Sequence, residues 1–120
     1  MRENEPGSLR DQYDQGVYEW MRRMFENIRT KRDIRSLRRS IKGAIRRGRA
    51  EMEGKPPHLR EMISSVIGKL ESELSVVEFT LRNYDSITVT ALKLYLTGSE
   101  TEIIEIMAQY ETAKREWKMS

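Results

Sequence analysis

Residues 59–84 read LREMISSVIGKLESELSVVEFTLRNY, and the spacing of the apolar side chains in this stretch decides the fold class. Met62 or Ile63, Val66, Leu70, Leu74, Val77, Leu81 and Tyr84 recur every three or four residues, the geometry of a helix that presents one seam to a neighbour. The stretch is therefore expected to be the central packing helix of an all-α protein. Val76 and Phe79 fall off that seam, and their bulk predicts a second buried face toward another helix or a partner chain.

On its N-terminal side, Glu53-Gly-Lys-Pro-Pro57 closes the preceding segment. Gly54 suits the left-handed cap position, and two prolines cannot continue a helix. Before that lies the most charged part of the chain. Residues 29–49 hold ten Lys or Arg and one acid, Asp33, a local charge of +9 in a protein of net charge +3. Thr30 and Asp33 form a cap pattern, so a helix is expected from there to about Met52.

Advancing about 100° per residue places Ile34, Leu37, Ile41, Ala44 and Ile45 on one face. Lys31, Arg35, Arg38, Arg39, Lys42, Arg46 and Arg49 fall together on the adjoining face. Ser36, Ser40 and Gly43 occupy the third sector, where small side chains permit close approach by another helix or a phosphate backbone. Residues 8–29 are expected to form a first helix, capped at Ser8 and apolar at Tyr13, Val17, Trp20, Met21, Met24, Phe25 and Ile28. Residues 1–7 read as a disordered lead-in.

On the C-terminal side, Asp85 is a natural N-cap. Ile87-Thr-Val-Thr90 is β-branched and alternating, yet Val89, Leu92 and Leu96 keep helical spacing and no partner strand is visible. Thr97-Gly98 reads as a helix stop, followed by a fresh capping box at Ser99 and Glu102 for a last helix over about 100–117. The expectation is an all-α bundle of four to five helices with a long central helix and a C-terminal helical hairpin. It forms a single domain over 8–120: a basic helical pair over 8–53, a Gly/Pro linker over 54–58 and an acidic helical part over 59–120.

Residues 91–107 resemble the first two helices of a helix-turn-helix of the phage-regulator or sigma-factor type. In that register Gln109 and Lys114 would take apolar anchor positions and Ala108 would replace the turn glycine. Burying two unpaired polar groups costs about 1–3 kcal/mol each. A single helix along Ile103, Ile106, Met107, Tyr110, Ala113 and Trp117 accounts for these residues better.

Catalytic chemistry finds no constellation. Cysteine is absent, the one histidine, His58, has no companion ligands at metal-binding spacing, and no Gly-rich phosphate loop occurs. No enzymatic activity, metal or cofactor is expected. No apolar run approaches the ~20 residues of a membrane span, and the absence of a signal-like N-terminus predicts an intracellular protein, cytoplasmic or in the nucleoid or nucleus.

The basic face is the remaining signal. Arginine forks bond phosphate oxygens in pairs, so a row of seven bases is expected to track a DNA or RNA backbone, with the protein part of a homo-oligomeric assembly. The alternative is a helical interaction or scaffolding subunit whose basic helix meets an acidic protein surface. The chain also supplies a competitor, because residues 51–113 carry eleven acids against five bases.

Overall fold

A computed structural model describes residues 28–120, together with Glu19, Arg22, Arg23, Glu26 and Asn27, which are helical. The rest of the expected first helix, and the expected lead-in, lie outside the described residues. Three helices follow: α1 (Lys31–Met52), α2 (Pro57–Arg82) and α3 (Ser86–Met119). Among the described residues there is no strand.

Each helix start has a local cause. Thr30 accepts a hydrogen bond from the Asp33 backbone N–H, and the Asp33 carboxylate accepts from the N–H groups of Thr30 and Arg29, both at 2.9 Å. These backbone donors hold the Asp33 carboxyl below its ordinary value. Gly54 takes φ +74° in the connection, which an L side chain resists. Helix α2 begins at Pro57, earlier than Leu59, because proline at the first helical position has no N–H to leave unsatisfied. Asp85 caps α3 by accepting from the Thr88 N–H at 2.8 Å.

The short connections force antiparallel neighbours, and α2 lies between α1 and α3, which each pack along it. Ile34, Ile41 and Ile45 of α1 meet Leu59, Ile63, Ile67, Leu70 and Val77 of α2, with Leu92, Leu96, Ile103 and Tyr110 of α3 completing the core. Gly48 faces Ile67 of α2 at close range. A Cβ there would sit 3.0 Å from Ile67 Cγ1, so the glycine sets how near the helices come.

The expected count of four to five helices is incorrect: the described residues form three, and the C-terminal hairpin is one 34-residue helix. No stop occurs at Thr97-Gly98. Thr97 and Thr101 turn their hydroxyls back onto the carbonyls of Lys93 and Thr97, at 2.8 and 2.7 Å, instead of capping a new helix. A glycine inside a helix costs about 1 kcal/mol. Burial of Leu96 and Ile103 on either side returns about 1.5–3 kcal/mol each, so tertiary packing against α2 carries the helix through. The helix-turn-helix reading falls with the hairpin, since residues 97–110 are helical throughout and Gln109 is exposed.

The central seam also differs in register. Leu59, Ile63, Ile67, Leu70, Glu73, Val77 and Thr80 are the buried residues of α2, spaced three or four apart, and two of them are polar. Phe79 stays 51% exposed rather than forming a second buried face, and Val76 is half-buried.

Candidate nucleic-acid interface

Because α1 packs chiefly on α2, with its C-terminal end also reaching α3 through Glu51, the flank away from the apolar face is open to solvent. All seven predicted bases lie on that flank. Lys31, Arg35, Arg39, Lys42, Arg46 and Arg49 are exposed and Arg38 is half-buried. From Lys31 to Arg49 the row is about 27 Å long at 1.5 Å per residue, a convex ridge.

Few of these cations are engaged. Arg49 Nη2 lies 3.3 Å from Glu71 Oε2, with both side chains more than half exposed. Lys31 Nζ stands 5.4 Å from the centre of the Tyr84 ring, whose hydroxyl donates to the Arg29 carbonyl at 3.3 Å. Arg39 donates to Ser36 Oγ at 3.1 Å. Arg35, Arg38, Lys42 and Arg46 make no ion pair with any acid among the described residues.

Two acids, Glu51 and Glu102, are paired away from the ridge. Glu51, at the end of α1, accepts from Tyr110 Oη at 2.5 Å and Lys114 Nζ at 2.7 Å, with Lys55 Nζ at 3.6 Å. The hydrogen bond from Lys114, then that from Tyr110, pulls the Glu51 carboxyl down to about 2. The same contacts raise Lys114, while burial, followed by the Glu51 contact, raises Tyr110. Glu102 pairs with Lys69. These ties bind α3 to α1 and α2 and leave the ridge out. Among the described residues, the expected competition from the acidic part is thus realised on the ridge at Arg49 alone.

Sequence reasoning missed three groups. Arg32 and Arg47 extend the basic arc beyond the stripe, and the Arg46 and Arg47 guanidiniums fold over Gly43, which is buried for that reason. Glu73 is 1% exposed, with Oε2 lacking any hydrogen-bond partner. Burial first, then the hydrogen bond and charge of Glu100, push its carboxyl up to about 8, partly offset by Ser99. The signal for Glu73 was its place in the three-or-four spacing.

Two grooves flank the line where α2 meets α3. One, of about 440 Å³, has an apolar floor that includes Met62, Val66, Leu70, Ile103 and Met107, with Arg47 at its rim. The other, of about 540 Å³, is lined by small and polar residues including Ser65, Gly68, Ser72 and Gly98. Neither contains any of the seven ridge bases. Among the described residues no group of three or more potential metal ligands converges, and no helix is long and apolar enough to cross a membrane. Comparison with protein-family models, curated proteins and solved structures finds no match.

Proposed function

We propose that the chain is a non-enzymatic nucleic-acid-binding protein that contacts the phosphate backbone through the α1 ridge as part of an assembly. The observation that carries this reading is the row Arg35, Arg38, Lys42 and Arg46, held on one rigid flank with no acid assigned to it. Four phosphates neutralised by such a row give a slope of log K against log salt of about −3.6. Oligomerisation draws support from apolar side chains left in solvent on α2 and α3, Phe79, Ile87 at 78% and Leu94 at 62% exposed.

The test is binding of generic DNA and RNA at low and moderate salt, repeated with Arg35, Arg38, Lys42 and Arg46 all changed to Glu. The four side chains lie outside the core, so the fold is expected to survive. Salt-sensitive binding that the variant loses is the expected result. No binding by the parent, or equal binding by the variant, removes the nucleic-acid reading and returns the ridge to an acidic protein surface. Sedimentation of the parent protein tests the assembly separately.

A further inference from the structure

Resting on the nucleic-acid reading, we infer that the α1 ridge takes B-form double-stranded DNA, seated along its major groove, in preference to a single strand or an RNA duplex. Three observations point the same way. First, single-strand sites combine a basic channel with aromatic faces on which bases stack. Residues 31–49 contain no aromatic side chain, and Tyr84, at one end of the ridge, has its ring under Lys31 and its hydroxyl on the Arg29 carbonyl.

Second, the ridge is convex. The seven-base row lines neither of the two grooves beside α2, and Arg47 of the wider arc only borders one of them, so a strand would have no cleft lined by the row to enter, whereas a duplex supplies the concave partner itself. The B-form major groove, about 12 Å wide, admits a helix, while the A-form major groove of RNA is deep and too narrow.

Third, the basic arc is broad. At about 100° per residue, Lys31, Arg38 and Arg49 fall on one margin of the open half of α1 and Arg32 and Arg47 on the other, with Arg35, Arg39 and Arg46 between. A helix in a groove needs that distribution: cations for the phosphates of both walls, and central forks toward the base edges. The length of about 27 Å corresponds to roughly eight base-pair steps.

The experiment measures anisotropy of the full chain with a DNA duplex of about 20 base pairs, an RNA duplex of equal length and an oligo-dT strand, from about 50 to 200 mM salt. The DNA duplex is expected to bind at least about tenfold tighter than either alternative, and to protect guanine N7, a major-groove atom, from methylation by dimethyl sulfate. Equal or tighter binding of oligo-dT or duplex RNA, or unprotected N7 in the DNA complex, overturns the inference while leaving the nucleic-acid reading in place. Failure to bind all three overturns both. The triple variant Arg35→Glu, Arg39→Glu, Arg46→Glu, checked for helicity, is expected to lose the preference for duplex DNA; retention would also overturn the inference.

Discussion

Replacing Glu73 by Gln tests the physical account of the α2–α3 interface. The carboxyl is buried between the helices with one oxygen unpartnered and Glu100 beside it, so the neutral form is favoured up to about pH 8 against an ordinary value of 4.5. Between those two values the folded protein holds a proton that the unfolded chain has released. Stability from this group is therefore complete below pH 4.5, falls through the interval, and is lost once pH passes about 8. At 1.36 kcal/mol per pH unit the loss is at most about 5 kcal/mol. For a domain of this size that is more than about 10 °C in melting temperature. Glutamine keeps the shape and stays neutral, so Glu73→Gln is expected to match the parent near pH 5 and to exceed it at pH 9, by up to about 5 kcal/mol. Urea melts followed by circular dichroism at pH 5, 7 and 9 measure both. Parallel pH profiles for the two proteins, or a variant weaker at every pH, would refute the reasoning.

Other perturbations separate the remaining forces. Gly98→Ala, in helix interior with open space around it, is expected to raise stability by about 0.5–1 kcal/mol, and Gly48→Leu, driven into Ile67, to lower it by about 2 kcal/mol or more, both read from denaturant midpoints. Glu51→Gln is expected to remove about 1 kcal/mol of stability that the parent has above pH 4.5 and loses as pH falls toward 2, the figure kept small because Glu51 is partly solvated; acid titration of the fold checks it. Glu71→Gln frees Arg49 and is expected to steepen the salt dependence of DNA binding by about one unit of slope, whereas an unchanged slope would place Arg49 outside the interface.

Local chemistry made much of this fold legible. Thr30 with Asp33, Gly54, and Asp85 each act within a few residues of themselves, and each occupies the predicted cap or turn. The ridge was legible for a similar reason, since helical phase alone groups its seven bases on one flank. The errors arose where distant residues decide. Thr97-Gly98 has the local chemistry of a stop, but α2 runs uninterrupted beside it, and the burial of Leu96 and Ile103 outweighs the glycine. Leu74 and Leu81 looked like seam residues because they are apolar, yet Glu73 and Thr80 are the more buried members of those pairs. Thr80 tolerates burial by donating to the Val76 carbonyl at 2.8 Å, an outlet that periodicity does not reveal.

The polar break in the seam bears on why the ridge is free. Glu73 meets Ser99 and Glu100 only in one register of α3 along α2; a slip of one turn would set the carboxyl among other side chains of α3 and take away both polar neighbours. That register also brings Lys69 to Glu102, and Tyr110 and Lys114 to Glu51. Displacing α3 by one turn, about 5.4 Å, would pull Tyr110 and Lys114 beyond hydrogen-bond range of Glu51. Glu51 would then have Arg47, four residues back on α1, and Lys55 as its nearest cations by sequence, and Arg47 would be drawn from the basic arc. A buried carboxyl that weakens the core thus favours the register that holds Glu51 and Glu102 on their own cations and leaves Arg47 in the basic arc.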